Sequence, residues 1–240
     1  MSDAGRTRLA VLGSPIAHSK SPAIQAAAYR VLGLDWSYTA ADVTEDALAG
    51  FIAERDGSWR GLSLTMPLKR AVLPLLATRD PLVEVIGAAN TVRFDDVGLH
   101  GYNTDVHGVT QTLRDAGVGS VRLVHILGGG ATAASVVAAV AELGAERVIV
   151  RARTPERAAS LVELGSRLGV EVTARSIEVE DRSLIVPDLI VSTLPGGAAD
   201  GLVFPEAVRE SAVLLDVAYD PWPSGLATRS EERRVGKECS

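Results

Sequence analysis

The sequence predicts an α/β fold with two domains, the second of them a doubly wound parallel sheet. Two observations predict it: short apolar runs alternate with helical segments along the chain, and a glycine-rich turn near residues 128–130 starts a fresh strand–helix pattern. A chain of 240 residues has room for two modest domains. We place them at residues 1–103 and 104–228, with a cleft between them.

Composition narrows the class of protein. Hydrophobic residues make up 47% and charged residues 22% of the chain, a balance typical of globular proteins. The net charge of -6 offers no basic face to nucleic acid or to an anionic membrane, so we expect neither partner. The sequence lacks a membrane-spanning run and a secretory signal, which favours a cytoplasmic location. One cysteine, Cys239, and four scattered histidines disfavour a metal site.

In the first half, strand and helix signals alternate. An apolar run ending at Gly13 predicts a strand, and the Ala-rich segment from Pro22 to Leu32 predicts a helix, with proline in its first turn. Further strands are expected in WSYTAADV and GLSLTMP, and further helices in DALAGFIAER and LKRAVLPLLA, the latter interrupted by Pro74. GAANTVRFDDVGLHGYN predicts a hairpin.

The second half is more regular. A helix is expected from Thr104 to about Ala116, and a strand begins at Val121. Strands then alternate with helices, which implies a parallel sheet covered on both faces. The expected helices are 131–143, 155–168 and 205–210, and the expected strands are 147–151, 170–174, 188–193 and 212–217.

The strongest local pattern follows the strand that begins at Val121. Gly128, Gly130 and Ala133 fit G-x-G-x-x-G/A, in which the glycines allow a tight turn and a close approach to pyrophosphate, and the third residue lets helix pack on strand. The N-terminus of the helix then offers free N–H groups to the phosphate. Glycines between a strand and a helix could also form a plain turn, but this context favours a dinucleotide site.

The end of the next strand indicates which nicotinamide binds. NAD enzymes usually carry an acidic residue about 20 residues past the glycines. This chain has VIVRARTPERA there, and arginine matches phosphate geometry. The pattern favours NADP, although a solvated charged face is the alternative. The residues concerned are Arg151, Arg153, Thr154 and Arg157.

Four loop segments of the first half are rich in small polar residues: SPIAHSKSP, LTMPLK, GAANTV and GYNTD. Each polar residue has a structural explanation when taken singly, as a helix cap or a turn. Lys69 is different, because it is predicted in the first turn of a helix, where the macrodipole disfavours a cation. A cation held at this position indicates a catalytic role or a bound anion.

Together these segments resemble the shikimate dehydrogenase family. The matches run in the family's order along almost the whole chain. They are G-x-P-I-x-H-S-x-S-P at Gly13–Pro22, T-x-P-x-K at Thr65–Lys69, G-A-x-N-T at Gly87–Thr91, N-T-D at Asn103–Asp105 and D-x-x-Y-x-P at Asp216–Pro221.

The resemblance implies an N-terminal substrate domain and a Rossmann domain that binds NADP. It implies NADPH-dependent reduction of 3-dehydroshikimate, with Lys69 and Asp105 as the catalytic pair; independently, an ammonium group suits an alkoxide that forms during hydride transfer. The implied substrate residues are Ser19, Ser21, Thr65, Asn90, Asp105 and Tyr219. The implied cofactor residues are Gly128, Gly130, Ala131, Ala133, Arg153, Thr154, Arg157 and Thr193.

Some residues depart from the family pattern. Ala131 replaces a glycine, Ser192 stands where asparagine is frequent, and Val106-His107 interrupts D-G-x-G. Quinate or another ring acid therefore remains an alternative substrate. A relative that only binds its ligands and a different Rossmann dehydrogenase remain alternative functions. We expect a monomer or a homodimer. Residues 229–240, RSEERRVGKECS, lack apolar periodicity and match no family segment; we interpret them as a non-native tail on a shortened chain.

Overall fold

A computed structural model describes residues 7–178, 185–220 and 222–231. The chain divides into two compact units, Met1–Thr104 and Asp105–Ser240, and each contains its own sheet. The mixed α/β architecture expected from the sequence is therefore confirmed.

The first unit contains a six-stranded mixed sheet in the order β2-β1-β3-β5-β6-β4. Neighbours β1–β2, β1–β3 and β4–β6 are parallel, whereas β5 runs antiparallel to β3 and β6. The predicted hairpin is confirmed as β5 and β6, and the short β4 was not predicted. The strands are β1 Thr7–Gly13, β2 Trp36–Asp42, β3 Trp59–Leu64, β4 Thr78–Arg79, β5 Thr91–Asp95 and β6 Gly98–Tyr102.

Helices of this unit begin and end near their sequence signals. Pro22 lies in the first turn of the first helix, as expected, and the proline at 74 limits the third to four residues followed by a 3-10 turn. The fourth helix was missed, although Asp80 caps it by accepting the Val83 N–H at 2.7 Å. The helices are α1 Ser21–Leu32, α2 Glu45–Ala53, α3 Leu68–Ala71 and α4 Pro81–Ile86.

The core of the first unit lies between the sheet and helices α2 and α3. Leu12 and Leu62 of the sheet pack with Leu48 of α2 and Leu68 of α3, and all four side chains are almost fully buried. Burial of such side chains stabilises the fold by roughly 1.5–3 kcal/mol each. This packing anchors the strands, and through them the loops at their ends.

The second unit contains five parallel strands in the order β11-β10-β7-β8-β9, so the predicted parallel sheet is confirmed. The chain winds outward from β7 through β8 and β9, then returns to place β10 on the other side of β7. That reversal is the switch point of a doubly wound fold. The strands are β7 Leu123–Leu127, β8 Arg147–Ala152, β9 Glu171–Ser176, β10 Leu189–Ser192 and β11 Val213–Asp216.

The second unit's helices include a central one that is buried on every side. All residues from Ala133 to Val140 are buried, as expected for a helix that is apolar all round. The helix expected at 155–168 opens with a 3-10 turn at Pro155–Ala158, and the rest is α-helical. The helices are α5 Asp105–Asp115, α6 Ala131–Glu142, α7 Ala159–Leu168, α8 Glu206–Ser211 and α9 Gly225–Glu231.

Two further observations concern the predicted tail and the membrane. The first residues of the predicted tail, from Arg229, belong to α9, while residues 232–240 lie outside the described part. Among the described residues, every helix is too short or too polar to cross a bilayer.

Candidate active site

Four of the polar loops meet at one edge of the first sheet. Parallel strands β1 and β3 end at this edge, and because β5 and β6 are antiparallel, β5 begins and β6 ends there. Thr91, at the start of β5, pairs with Ser63 near the end of β3 and with Tyr102 at the end of β6. The topology therefore assembles segments that lie far apart in sequence.

Backbone hydrogen bonds hold these loops together. The bonds join the loop after β1 to the loop after β3, and the loop after β3 to the loop before β5. They run from Ser14 N to Met66 O at 3.0 Å, from Leu64 N to Asn90 O at 2.7 Å, and from Ala89 N to Lys69 O at 2.8 Å. The loops that carry Ser19, Thr65 and Asn90 are thus tied to one another by the main chain.

Gly13 permits this close approach. A Cβ atom at position 13 would collide with the Thr65 methyl group and would lie 2.9 Å from the Met66 carbonyl oxygen. Cβ atoms are essentially never found so close to backbone, so a larger residue would push the two loops apart. The glycine that opens the first motif is therefore explained by packing inside the unit.

Ser19 and Ser21 lie at the start of α1 and are half-buried. The Ser19 hydroxyl accepts a hydrogen bond from the Ser21 N–H at 3.3 Å, which satisfies one of the free donors at this helix end. The N-cap residue itself is Lys20, which makes no side-chain cap bond, so Ser19 acts from the position before the cap. This bond leaves the hydroxyl's own proton available to a ligand.

Lys69 is half-buried in α3, and its backbone carbonyl accepts the bond from Ala89. The helix is confirmed, but it has four residues, so Lys69 lies in its last turn as much as in its first. The argument that the macrodipole disfavours a cation here was wrong, because a single turn has no distinct positive end. The case for Lys69 rests instead on its place among the four loops.

Asn90 is held by Thr104, a residue that the sequence prediction left out. The Asn90 Nδ2 group donates to Thr104 Oγ1 at 2.9 Å, and Asn90 Oδ1 accepts from Thr104 N at 3.0 Å. The Thr91 hydroxyl donates to the same Oδ1 at 3.0 Å. The carboxamide is therefore fixed in orientation. The N-T-D match contained the signal, because Thr104 is its middle residue.

The segment that leads into Asp105 is anchored as well. Asn103 is 4% exposed and its side chain donates to the Ala88 carbonyl at 3.0 Å. With Thr104 bound to Asn90, both residues before Asp105 are fixed to the loop before β5. Asp105 itself is the half-buried first residue of α5, where a carboxylate is favoured by the helix N-terminus.

In the second unit, the glycine turn lies at the switch point of the sheet. Gly128 follows β7 with a φ of 105°, and a Cβ atom there would lie 2.5 Å from Thr193 Oγ1. Thr193 follows β10, and its backbone N–H and hydroxyl both donate to the Leu127 carbonyl, at 2.8 and 2.9 Å. Ligands of doubly wound folds bind at this position, outside the carboxyl ends of the strands.

The turn leaves room for a phosphate at the N-terminus of α6. Gly130 is exposed at the cap of α6, and a Cβ atom there would meet no protein atom within 4 Å. Packing inside the protein thus gives no reason for glycine at 130, whereas a ligand against the backbone would. Ala131 starts the helix as expected, and Ala133 is fully buried against the sheet.

The arginine cluster at the end of β8 is exposed in part. Arg153, Thr154 and Arg157 are exposed, whereas Arg122 and Arg147 of the same unit form ion pairs with Glu146 and Glu171. Arg151 is only 9% exposed, so its guanidinium is the least accessible of the cluster. Together with the open glycine turn, these residues fit NADP, whose 2′-phosphate matches a guanidinium.

Tyr219 lies in the loop that follows β11 and is 45% exposed. Asp216, the last residue of β11, accepts the Ala218 N–H at 3.1 Å and the Ser224 hydroxyl at 2.6 Å with its carboxylate. Pro221, the last residue of the fifth motif, lies outside the described residues. The tyrosine ring is thus accessible at the carboxyl edge of the second sheet.

Neither of two cavities is lined by the predicted substrate residues. One of about 750 Å³ lies over the first sheet and includes Tyr38, whose hydroxyl donates to Ser63 at 2.7 Å. Burial raises the pKa of Tyr38, and the bond to Ser63 partly offsets the effect. The other, of about 180 Å³, is apolar and lies beside Phe204 and Leu226.

The chain is similar in sequence to proteins named shikimate dehydrogenase. Residues 11–92 match the family described as shikimate dehydrogenase substrate binding domain. The shikimate dehydrogenase (NADP(+)) of Methanothermobacter thermautotrophicus is 33% identical over 235 residues, covering 95% of this chain and 83% of that protein. An enzyme of the same description from Thermus thermophilus is 36% identical over 229 residues, covering 94% and 83%.

Solved structures agree. Mycobacterium tuberculosis shikimate dehydrogenase has a TM-score of 0.79 and 37% identity, covering 92% of this chain and 82% of that one. A Thermus thermophilus shikimate 5-dehydrogenase, solved in complex with NADP(H) and shikimate, has a TM-score of 0.80 and 34% identity, covering 95% and 84%. From its motifs, its two sheets and these likenesses, we conclude that the chain belongs to the shikimate dehydrogenase family.

Proposed function

We propose that this chain reduces 3-dehydroshikimate to shikimate with NADPH, a step of chorismate and aromatic amino acid biosynthesis. The observation that carries the proposal is the convergence of four motif loops at one sheet edge, tied by the backbone bonds between Ser14 and Met66 and between Ala89 and Lys69. Its relatives carry the same activity in their names.

The polar groups of these loops suit a hydroxylated ring acid. Hydroxyls at Ser19, Ser21 and Thr65 are donors for a carboxylate and are all half-buried. The carboxamide of Asn90, which Thr104 holds in place, lies among these loops as a partner for a ring hydroxyl. A site built to pair with hydroxyls rejects analogues that lack them, because its own polar groups would be left unpaired.

Lys69 and Asp105 carry the proton chemistry in this proposal. As the substrate carbonyl is reduced, negative charge develops on its oxygen; the Lys69 ammonium neutralises this charge and donates a proton to it. The Asp105 carboxylate accepts a hydrogen bond from a ring hydroxyl and so orients the substrate. In the reverse direction, the Lys69 amine accepts the proton from the hydroxyl that is oxidised.

NADPH, when bound, supplies the hydride. The N–H groups at the start of α6 and the open backbone at Gly130 hold its pyrophosphate, and Arg153 and Arg157 hold its 2′-phosphate. Thr193 shapes the turn through its bonds to Leu127, and Tyr219 borders the substrate.

A panel of two ring acids and two nicotinamides tests the function. Initial rates of nicotinamide reduction are measured with shikimate or quinate, each with NADP or NAD. We expect the highest kcat/KM for shikimate with NADP. A higher value for quinate would point to a paralogue for that acid. Tight binding of both shikimate and NADP without turnover would show that the protein binds these ligands but is not an enzyme.

The proposal includes the cellular location and the oligomeric state of the protein. The chain acts in the cytoplasm as a monomer or homodimer on a small-molecule partner, without nucleic acid or membrane. Light scattering during gel filtration measures the assembly, and a mass above that of two chains of 25.1 kDa would contradict it.

A further inference from the structure

One carboxylate in the second unit joins two points of the chain on either side of Tyr219. Asp216 Oδ1 accepts the Ala218 N–H at 3.1 Å, and Asp216 Oδ2 accepts the Ser224 hydroxyl at 2.6 Å. Tyr219 follows Ala218 directly and precedes Ser224 by five residues. The same side chain therefore restrains the chain on both sides of the tyrosine.

Ser224 makes the restraint rigid. It is 4% exposed, and its Oγ accepts the Ala227 N–H at 3.0 Å, which caps the N-terminus of α9. The hydroxyl thus receives one bond from the helix and donates another to Asp216. Because a buried hydroxyl with both bonds made has no alternative orientation, α9 fixes the position of Ser224 and, through it, of Asp216.

The start of the loop is fixed to the sheet. Asp216 pairs with Ser192 at the end of β10, and the Val217 N–H donates to the Ser192 carbonyl at 3.1 Å. Thr193, which packs against the glycine turn, is the next residue. The chain therefore leaves the sheet for Tyr219 at the same carboxyl edge as the proposed NADP site.

We propose that Asp216 and Ser224 form a clamp that positions Tyr219 for the substrate. This inference rests on the proposed function, in which the tyrosine borders the ring acid. The tyrosine is 45% exposed, and the two bonds of Asp216 restrain the chain before and after it. Asp216 and Ser224 are positioning residues, since they act through Tyr219.

Three variants separate the clamp from the helix cap. Asp216→Ala removes the clamp and leaves the Ser224 cap, Ser224→Ala removes both, and Ser224→Thr keeps the hydroxyl for both. We expect Asp216→Ala and Ser224→Ala to lower kcat/KM for shikimate by about tenfold, as misplaced substrate contacts do, with the KM for NADP unchanged. Ser224→Thr should restore the wild-type value.

The effect must pass through Tyr219. In a Tyr219→Ala background, we expect Asp216→Ala to change kcat/KM for shikimate no further, because the positioned group is gone. A full additional loss in that background would overturn the proposal, as would an equal change in the KM for NADP, which would indicate general damage to the second unit.

Hydrogen exchange tests the clamp without turnover, so its failure is distinct from failure of the proposed function. In Asp216→Ala, amides of residues 217–220 should exchange at least about tenfold faster, while those of β10 stay unchanged. Unchanged exchange at 217–220 would overturn the clamp even in an active enzyme. Faster exchange in a protein that does not oxidise shikimate would retain the clamp and reject the function.

Discussion

The two candidate sites lie at sheet edges that differ in how they are built. At the edge of the first sheet, side chains such as Asn90 and Thr104 are hydrogen-bonded to one another before any ligand arrives. At the carboxyl edge of the second sheet, Gly130 exposes backbone, and Arg153 and Arg157 are exposed to solvent. In the proposed function, prearranged side chains recognise the ring acid, whereas backbone and exposed cations recognise the dinucleotide.

The two edges should therefore respond differently to substitution. Changes at the first edge disturb a hydrogen-bonded arrangement and should alter turnover or the KM for shikimate. Changes at the second edge alter the space for a phosphate or the charge near it, and should alter nicotinamide binding. Variants at both edges test this contrast. Where possible, each is compared with a control variant in the same unit.

Lys69→Ala should have the largest effect. Loss of the group that accepts the proton from the hydroxyl should lower kcat for shikimate oxidation by at least about 100-fold, while the dissociation constant for NADP stays unchanged. Arg70→Ala is the matched control, because Arg70 is an exposed cation in the same helix and should be near wild type. Equal losses in both variants would show that Lys69 acts only through its positive charge near the site, as Arg70 does.

Gly128→Ala should destabilise the second unit and abolish NADP binding. An alanine at a φ of 105°, with its Cβ at 2.5 Å from Thr193 Oγ1, should lower the free energy of unfolding by about 1–3 kcal/mol. Gly130→Ala meets no protein atom and should keep wild-type stability while raising the KM for NADP. Thermal unfolding and steady-state kinetics measure both. An unchanged KM for NADP in Gly130→Ala would show that the phosphate does not bind at this turn.

The double variant Arg153→Ala with Arg157→Ala should lose nicotinamide preference. Removing charge-assisted bonds to a 2′-phosphate should reduce the ratio of kcat/KM for NADP over NAD by about 10- to 100-fold. Arg122→Ala is the control, because this exposed arginine pairs with Glu146 at 3.0 Å beside the start of β7, at the other edge of the sheet. A preserved preference in the double variant would contradict the assignment.

Thr104→Val should have a smaller effect, on shikimate alone. The valine cannot bond to the Asn90 carboxamide through its side chain, so the KM for shikimate should rise by about 3- to 10-fold, and Thr104→Ser should stay near wild type. If valine and serine behave alike, Asn90 does not depend on this hydroxyl for its orientation.

Asp95→Asn should alter stability slightly and turnover not at all. Asp95 lies at the hairpin tip, away from the loops, and its bond to His100 holds the pKa of its carboxyl below the usual value of 3.8. A lowered folded-state pKa contributes stability above pH 3.8 that is lost as pH falls through the folded value. The difference in unfolding temperature from wild type should therefore shrink below that pH. A difference in unfolding temperature that grows below pH 3.8 would contradict this role of Asp95.

Local patterns in the sequence predict much of the second unit. Gly128, Gly130 and Ala133 identify the turn because the requirements of a phosphate loop are local, and the alternation of strands and helices then follows. The predictions failed where structure depends on short or competing signals. Helix α4 was missed although Asp80 caps it and Gly87 ends it, because only six residues lie in it.

The contacts inside the sites could not be predicted in the same way. Thr104 lies 14 residues from Asn90, and Ser224 lies eight residues from Asp216, so no local rule pairs them. The antiparallel hairpin brings the first pair together, and α9 the second. The macrodipole argument at Lys69 failed for a related reason. The sequence predicts the interruption at Pro74, but it does not show that α3 ends at Ala71, after a single turn.

Lys69→Arg gives the most direct test that Lys69 acts as the proton donor. Arginine keeps the positive charge but does not release a proton at accessible pH. We predict that this variant binds shikimate within about threefold of wild type, by charge and hydrogen bonding, and loses at least about 100-fold in kcat. Turnover near the wild-type rate would show that charge alone suffices and would contradict the proton transfer assigned to Lys69.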